Sequence, residues 1–303
     1  MYSIDLPFNG LEGYLTPLSS LTEMTNFQAY SNKISGNIPQ SFFNMTNLIA
    51  LYLYDNQLTG SIPPIASFKS PLSYVYLNNN RLKGTIPESL GTLTGLNTLQ
   101  LNDNLLTGTI PSTLRHLTEI YSFSVNGNRI SGTIPQSFFN MPKLVYLQLY
   151  DNQLTGSIPP VITSNMLLYR VMLNNNRLEG TIPESFGMLT RLSSLHLDDN
   201  LLTGTIPSTL RDIRYFFVLH LARNQLSGTI PVLDQGWLHD IDLSGNYLTM
   251  GSLKEVPLST FSDGSSLKLE SNCLVFRNPM RPSQNVNATH CRGERIPHNI
   301  CSL

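Results

Sequence analysis

Two histidines with aspartates near them are the residues of this chain best suited to chemistry. His196 and His220 lie 24 residues apart, and Asp198 follows the first by two residues. Imidazole and carboxylate groups together can bind a cation, exchange protons or make a pH-sensitive contact. The surrounding polar zone comprises Arg170, His196, Asp198, Asp199, His220, Arg223, Asp240 and Asp242. This zone is either a contact surface for a partner or ordinary solvated surface, and both interpretations remain open.

The polar zone lacks a placed nucleophile. His196 and Asp198 form the one candidate acid–base pair, and no nucleophile motif accompanies them. The sequence has no Gly-x-Ser-x-Gly elbow, no His-Glu-x-x-His zinc motif and no Gly-x-x-x-x-Gly-Lys-Ser/Thr phosphate loop. We therefore predict that the protein is not an enzyme, uses no cofactor and holds no metal.

Tyrosines form a second group of candidate binding residues. They are Tyr30, Tyr52, Tyr54, Tyr74 and Tyr76, with Tyr146 and Tyr150 further along the chain. Tyrosine offers a large contact area at a low entropic cost and is common in interaction hot spots. The alternative is that aromatic residues simply suit exposed strands.

A regular column of asparagines indicates the scaffold that positions the polar zone and the tyrosines. They are Asn32, Asn56, Asn80, Asn104, Asn128, Asn152, Asn176, Asn200 and Asn224, each 24 residues after the last. A fixed period of this length predicts a solenoid, which usually binds partners on an extended face. We interpret the column itself as structural, because the side-chain amide can satisfy turn backbone groups that a strand ladder does not reach.

The complete repeat reads Leu-x-x-Leu-x-Leu-x-x-Asn-x-Leu-x-Gly-x-Ile-Pro. One copy has Leu96, Leu99, Leu101, Asn104, Leu106, Gly108, Ile110 and Pro111. It resembles the leucine-rich repeat family, specifically the plant-type subclass with a Leu-Thr-Gly-x-Ile-Pro signature, and the resemblance covers roughly residues 4–250. The resemblance implies an α/β repeat solenoid, a right-handed leucine-rich repeat superhelix with a concave parallel sheet and an irregular or 3-10 convex side. It also implies a function like that of receptor ectodomains and secreted inhibitors.

The alternation within the repeat indicates which residues face a partner. Leu99 and Leu101 point into the core, so Gln100 points outward. By the same parity, residues two and four before each ladder asparagine lie on the concave face, and some residues six before it join them. The expected ligand-binding residues are Tyr30, Tyr52, Tyr54, Tyr74, Tyr76, Tyr146, Tyr150, Arg170, His196, Asp198, His220 and Asp242.

A longer period shows that part of the chain is duplicated. The segment from Asn32 to Met45 reappears from Asn128 to Met141, and the segment from Tyr54 to Pro64 reappears from Tyr150 to Pro160. Both offsets are 96 residues, which is four repeats. Some surface residues, Tyr150 among them, are therefore copies and carry less evidence for a ligand.

Composition narrows the class of partner. Charged residues make up 13% of the chain and the net charge is −1, about half the charged fraction of average domains. This balance argues against nucleic acid as a partner. No apolar run approaches the roughly 18–20 residues that a membrane span needs. The sequence does not determine the oligomeric state.

The two ends of the chain differ. We predict a solenoid of about ten repeats over residues 1–250 and a degenerate last repeat with a C-terminal cap over 251–303. Neither a signal peptide nor a cap precedes the first repeat, so we expect a chain that has lost its leader and N-terminal cap. At the other end, Cys273 and Cys291 are expected to form a disulfide. The alternatives are free thiols, pairing with Cys301, or a weak zinc site that includes nearby histidines.

Sequons and cysteines favour a secreted protein. Asn44 and Asn287 begin Asn-x-Thr triplets, which are acceptors for N-glycosylation in the secretory pathway. We therefore predict a non-enzymatic module, extracellular or at the cell surface, that binds a protein, peptide or glycan on its concave face. An intracellular scaffold for protein–protein interaction and a structural or adhesive surface protein are the alternatives.

Overall fold

The structure is a computed structural model that describes residues 2–16, 20–66, 70–163, 166–233, 238–249, 266–270 and 272. By contacts, the chain divides into two compact units. The first comprises Met1–Thr155 with Asn165–Val171, and the second Gly156–Ser164 with Met172–Leu303.

Short strands recur once per repeat, just before the ladder asparagines. Their apolar residues alternate, as Leu99 does between Thr98 and Gln100. These strands are β1 Tyr2–Asp5, β3 Met24–Gln28, β5 Ala50–Tyr52, β7 Tyr74–Tyr76, β8 Thr98–Gln100, β9 Ser122–Ser124, β11 Tyr146–Gln148, β13 Arg170–Met172, β15 Ser194–His196, β16 Val218–His220, β18 Asp240–Asp242 and β20 Ser266–Lys268. This placement agrees with the strand predicted in each repeat.

Within each unit these strands pair in parallel. In the first unit the order is β1-β3-β5-β7-β8-β9-β11, and in the second β15-β16-β18-β20. The register keeps equivalent repeat positions side by side, for example Leu99 opposite Phe123. One face of each sheet is therefore apolar and buried, and the other presents the variable residues.

A sharp turn follows the strands from β1 to β18, at the residue before the asparagine. Asp55 and Asp103 have φ of 53° and 54° there. This left-handed conformation is best tolerated by aspartate, asparagine and glycine. Arg223 occupies the same place with φ of 53°, which fixes its side chain at the edge of the sheet face in the second unit.

The asparagine column closes the turns by hydrogen bonding. Nδ2 of Asn104 donates to the carbonyls of Leu77 at 3.0 Å and Leu101 at 3.1 Å. Its Oδ1 accepts from the N–H of Leu82 at 3.0 Å. One buried side chain thus ties its own coil to the preceding one. Asn224 in the second unit makes the equivalent bonds.

The column extends beyond the residues that the fixed period identified. Asn246 donates to Leu221 and Leu243, and Asn272 donates to Leu243 and Leu269. Their spacings of 22 and 26 residues depart from the period of 24. A search for a constant interval therefore misses Asn246 and Asn272, although they make the same hydrogen bonds as the other ladder asparagines.

The returning side of the repeat also contains short strands. They follow the ladder asparagine and are β2 Glu12–Tyr14, β4 Lys33–Asn37, β6 Gln57–Thr59, β10 Ser131–Gly132, β12 Gln153–Ser157, β14 Arg177–Glu179, β17 Ser227–Thr229 and β19 Tyr247–Thr249. A glycine lies within or directly after most of these strands, and there the backbone turns with positive φ. A Cβ on Gly108, where φ is 78°, would lie 2.7 Å from the Thr85 methyl of the preceding coil.

Single helical turns complete the repeats on the same side. They are the α-helix α1 Ser41–Asn44 and the 3-10 helices Glu88–Thr92, Ser112–His116, Gln136–Asn140, Glu184–Met188 and Ser208–Asp212. Proline immediately precedes each 3-10 helix, as Pro87 does with φ of −65°. The fixed φ of proline suits the entry into such a turn, and the ring needs no hydrogen-bond acceptor. These elements match the predicted irregular or 3-10 side.

The core consists of leucines, isoleucines and phenylalanines at the invariant repeat positions. Leu99, Leu101 and Leu106 have no exposed surface, and Phe123 packs on Phe138 with ring centroids 4.8 Å apart. Burying such a side chain stabilises the fold by about 1.5–3 kcal/mol. The side chains at these positions are buried in the core, so only the outward-facing residues can contact a ligand.

Several predictions lie beyond what the structure describes. Within 251–303 it describes residues 266–270 and 272 alone, so the proposed C-terminal cap stays a prediction. The same holds for Cys273, Cys291 and Asn287. None of the helices in the described parts of the chain has the length and apolarity needed to cross a bilayer.

Candidate binding surfaces on the sheet faces

Tyrosine rings stack on one another across the strands of the first unit. Tyr30 and Tyr54 lie with ring centroids 4.4 Å apart and planes at 9°. Tyr76 contacts both Tyr52, at 4.9 Å, and Tyr54, at 6.2 Å. Phe8 packs edge-on against Tyr30 at 5.4 Å. These rings hold one another in place, so a ligand would meet a surface that is already ordered.

The stacked tyrosines form one wall of a cavity of about 600 Å³. Its lining consists of Gln28, Tyr30, Tyr52, Tyr54, Tyr76, Asn78, Gln100, Asn102, Asn126, Gln148 and Tyr150. We name it the tyrosine–amide cavity. Every lining side chain is either a tyrosine or an amide, so the cavity is polar without a formal charge.

Three tyrosines of this cavity have a raised pKa. Burial raises the pKa of Tyr54 to about 12, with neighbouring Tyr30, Asp55 and Tyr76 adding to the shift. Burial also raises the pKa of Tyr52 and that of Tyr150, and Asp103 and Asp151 contribute to the second. The hydroxyls of Tyr52, Tyr54 and Tyr150 can therefore donate hydrogen bonds at physiological pH.

The amides of the cavity are only partly satisfied by the protein. Gln100 donates to Ser122 Oγ at 3.0 Å, and Asn126 Oδ1 accepts from Ser124 at 2.6 Å. In contrast, Oδ1 of Asn78 is buried and accepts no hydrogen bond from any described residue. A buried acceptor of this kind needs a donor from water or from a ligand.

Two of the predicted tyrosines lie outside the cavity. Tyr74 begins strand β7 with 37% of its surface exposed and does not line the cavity. Tyr146 packs instead on Tyr121 at 5.4 Å and on Tyr169 at 6.2 Å. A hydrogen bond with Tyr146 raises the pKa of Tyr121. Tyr121 and Tyr169 each lie seven residues before a ladder asparagine. The predicted ligand-binding positions lie two, four and six residues before it, so they do not include these two tyrosines.

The second unit brings His196 and His220 into contact. His196 and His220 are register partners on β15 and β16, with ring centroids 4.7 Å apart and planes at 82°. Nε2 of His196 lies 2.7 Å from Ser194 Oγ, and Nε2 of His220 lies 2.9 Å from Asp240 Oδ2. Both rings are thus oriented by neighbours on their own sheet face.

Asp198 joins this pair from the residue after the strand. One ligand atom each of His196, Asp198 and His220 lie within 4.8 Å of one another, and all three residues are half-buried. We name these three residues the histidine–aspartate cluster. Burial raises the pKa of Asp198, assisted by Asp199 and opposed by a backbone hydrogen bond, His220 and Arg223.

Apart from Arg170, the remaining charged residues of the polar zone are paired. Arg223 makes a two-pronged ion pair with Asp199 and lies 3.9 Å from Asp198. Asp242 accepts from Ser244 Oγ at 2.6 Å and lies 3.4 Å from Lys268 Nζ. Burial alone raises the pKa of Asp242, but the Ser244 hydrogen bonds and the Lys268 ammonium together outweigh it and lower the pKa.

Two further predicted residues stand in the open. Arg170 is exposed at the start of β13, while its N–H donates to Val145 at 3.1 Å. Asn44 is exposed at the end of helix α1, and its Oδ1 accepts from Gln40 at 3.2 Å. A glycan on Asn44 would thus meet no buried neighbour.

Family models match the repeats directly. A leucine-rich repeat model matches residues 70–130, and a single-repeat model matches residues 47–68, 143–165, 168–189 and 191–213. No curated protein matches the sequence.

Solved structures with the same fold include plant receptors. The plant peptide hormone receptor RGFR1, in complex with RGF2, is 33% identical with a TM-score of 0.80, and the match covers 88% of this chain and 42% of that chain. The PEPR1–AtPEP1 structure is 29% identical with a TM-score of 0.84, covering 90% and 38%. This chain therefore spans about two fifths of each receptor chain.

A plant ice-binding protein is also similar. It is 27% identical with a TM-score of 0.66, and the match covers 82% of this chain and 80% of that one. These neighbours and the parallel strands confirm the predicted right-handed leucine-rich repeat solenoid. The chain belongs to the leucine-rich repeat family, as a plant-type member that resembles receptor-like ectodomains.

Proposed function

We propose that this chain is a non-enzymatic recognition module that binds a peptide, in extended conformation, in the tyrosine–amide cavity. The observation that carries the proposal is a preformed and uncharged cavity whose wall is a stack of tyrosines. The complexes of RGFR1 with RGF2 and of PEPR1 with AtPEP1 support it.

The dimensions of the cavity suit a peptide. Its lining residues come from six successive strands of the first unit, from Gln28 to Tyr150. At about 4.8 Å between strands, the lining extends over about 24 Å. An extended peptide of about seven residues has that length.

The chemistry of the lining suits a peptide backbone. Amide side chains such as Asn102 offer a donor and an acceptor, which matches the N–H and C=O of each peptide unit. The buried Oδ1 of Asn78 would accept from a peptide N–H. Tyrosine rings provide flat apolar area for the side chains of the peptide. A glycan would use the same hydroxyls and amides, so it is the first alternative ligand.

The test is selection of peptide ligands followed by truncation of the wall. Octapeptides selected on the wild-type chain are measured by calorimetry against Tyr52→Ala and Tyr76→Ala. Loss of a hot-spot tyrosine should weaken binding about 30-fold or more. Tyr247→Ala is the matched control, because Tyr247 is 49% exposed and does not line the cavity.

Two outcomes would contradict the proposal that a peptide binds in the tyrosine–amide cavity. Selected peptides that bind the cavity variants as tightly as the wild type would exclude the tyrosine–amide cavity as their site. Glycan-array binding that depends on Tyr52 and Tyr76, without peptide binding, would assign the cavity to a sugar.

We further propose that the protein works outside the cell. The support is the exposed sequon at Asn44 and the cysteines of the C-terminal segment. Peptide mass mapping of protein from its native source should find glycan on Asn44 or Asn287 and a bridge between Cys273 and Cys291. Bare asparagines and free thiols would favour the intracellular scaffold instead.

A different face supports a second candidate function, adhesion to a repetitive surface such as ice. An exposed column of hydroxyl residues follows the repeat glycines: Ser61, Thr85, Thr109 and Thr133 in the first unit, and Thr181, Thr205 and Thr229 in the second. The methyls of Thr85 and Thr109 lie over Gly108 and Gly132 of the next coil. These side chains are thereby held at the strand spacing, and the similar ice-binding protein favours this candidate.

The two functions can be separated by mutation. If the hydroxyl column binds ice, Thr85→Lys with Thr109→Lys should abolish inhibition of ice recrystallisation and leave peptide binding unchanged. Tyr76→Ala should do the reverse. Wild-type protein without any effect on ice growth would remove this candidate.

A further inference from the structure

We propose that the histidine–aspartate cluster is a binding site for a divalent transition metal of the zinc class. The site lies on the sheet face of the second unit and is independent of the tyrosine–amide cavity. Three features support it: the placement of the donors, the orientation of the rings, and the charge around them.

The strands place the three donors on one side of the sheet. His196 and His220 are register partners, and Asp198 lies two residues after His196, so strand alternation points its side chain the same way. Their ligand atoms lie within 4.8 Å of one another. Around a tetrahedral zinc with bonds of about 2.0–2.1 Å, ligand atoms are about 3.4 Å apart. The donor atoms would therefore have to approach one another by up to about 1.4 Å to bind zinc.

The rings are already oriented by hydrogen bonds typical of metal sites. Ligating histidines usually bond a carboxylate or other polar group through the ring, which fixes the tautomer and the ring direction. Asp240 Oδ2 lies 2.9 Å from His220 Nε2, and Ser194 Oγ lies 2.7 Å from His196 Nε2. Ordering of the ligands therefore costs little when the metal binds.

The surrounding charge favours a cation. The carboxylates of Asp198, Asp199, Asp240 and Asp242 face two basic side chains, Arg223 and Lys268, which leaves two negative charges when the histidines are neutral. Oδ1 of Asp198 is buried and accepts no hydrogen bond from a described residue. The guanidinium of Arg223 bonds Asp199 and also lies 3.9 Å from Oδ2 of Asp198, so the unpartnered Oδ1 is the Asp198 oxygen that we assign to the metal.

The donor set selects the class of metal. Two imidazoles and one carboxylate suit zinc, nickel or copper, whereas calcium and magnesium prefer oxygen ligands alone. Three protein ligands also leave one coordination position for water or for a donor group of a partner.

The internal duplication supplies the variants for a test. Gln100, Asn102 and Ser124 stand 96 residues before His196, Asp198 and His220, in the same strand register. The triple variant His196→Gln, Asp198→Asn and His220→Ser therefore installs residues that this repeat already accommodates. The single variant His196→Gln serves where the triple variant melts early.

Zinc binding is measured by calorimetry on the full chain with its thiols carboxymethylated, which removes the cysteines as ligands. The wild type should bind one zinc more per chain than the triple variant, and His196→Gln should weaken that site at least tenfold. Saturating zinc should raise the thermal midpoint of the wild type alone. Equal stoichiometry and equal midpoint shifts in wild type and variants would overturn the proposal.

Discussion

The sheet faces of the two units use equivalent strand positions for different chemistry. In the first unit, tyrosines and amides line the tyrosine–amide cavity, and no charged side chain takes part in the lining. In the second unit, His196, Asp198 and His220 meet among paired charges. Both faces stand on buried leucines and hydrogen-bonded ladder asparagines. The difference therefore resides in side chains that the fold leaves unconstrained.

The duplicated block makes this comparison residue by residue. The core positions are alike in both copies: Ile110 and Pro111 return as Ile206 and Pro207. The outward positions changed: Tyr76, Gln100, Asn102 and Ser124 correspond to Met172, His196, Asp198 and His220. Packing holds the core positions fixed, because altering them would open cavities or overfill the core. The outward positions could diverge toward separate ligands.

The largest effect should come from truncating one tyrosine in each copy of the repeat. Tyr54 and Tyr150 occupy the same repeat position and both line the cavity, but only Tyr54 belongs to the tyrosine stack. Tyr54→Ala should weaken peptide binding about 30-fold or more, since the stack loses its central ring. Tyr150→Ala should weaken it less than about tenfold. Calorimetry with one selected peptide measures both, and equal losses would mean that stacking contributes nothing to recognition.

The second prediction transfers the chemistry of one face to the other. Gln100→His, Asn102→Asp and Ser124→His place the histidine–aspartate cluster on β8 and β9, where positions 100 and 124 are register partners. Zinc affinity of the first unit should rise at least tenfold, because three donors replace weakly ligating groups. Peptide affinity should fall, because Gln100 and Asn102 line the cavity.

Ser124 is fully buried, so a histidine at this position overfills the space that the serine occupies and lowers stability. The double variant Gln100→His and Asn102→Asp is the control for folding, and its thermal midpoint is compared with that of the triple variant. A folded triple variant without added zinc affinity would show that register alone does not make the site and that Asp240 and Ser194 are needed.

The third prediction is that salt weakens binding at the sheet face of the second unit more than binding in the tyrosine–amide cavity. No charged side chain lines the tyrosine–amide cavity, so the affinity of a neutral selected peptide should change less than about twofold between 50 and 500 mM NaCl. Arg223 and Asp199 form an exposed ion pair in the second unit, and contacts made there should weaken with salt. A strong salt dependence of peptide binding would place the peptide on the charged face.

The sequence predicts the fold more completely than it predicts the binding sites. The period of 24 and the Leu-x-Leu alternation determine which residues are buried, and hence the outward direction of Tyr52 and Gln100. The stacking of Tyr30 on Tyr54 depends on rotamers and strand twist, which periodicity does not contain. For the same reason the sequence predicts that Tyr146 lies on the ligand-binding face but does not predict that its ring packs on Tyr121.

The smallest effect concerns alkaline pH and distinguishes the stacked tyrosine from exposed ones. The pKa of Tyr54 is about 12 in the folded chain, against about 10 in an unfolded one. Between these values the folded state holds a proton that the unfolded state has lost. The contribution of Tyr54 to stability is therefore complete below pH 10 and is lost as the pH rises through about 12.

Urea unfolding at pH 9.5 and pH 11.5 measures this loss of stability. The loss should be smaller in Tyr54→Phe than in the wild type. Tyr247→Phe, at an exposed position outside the stack, should lose as much stability as the wild type. An identical loss in all three proteins would mean that the Tyr54 phenol ionises as readily in the stack as in solvent.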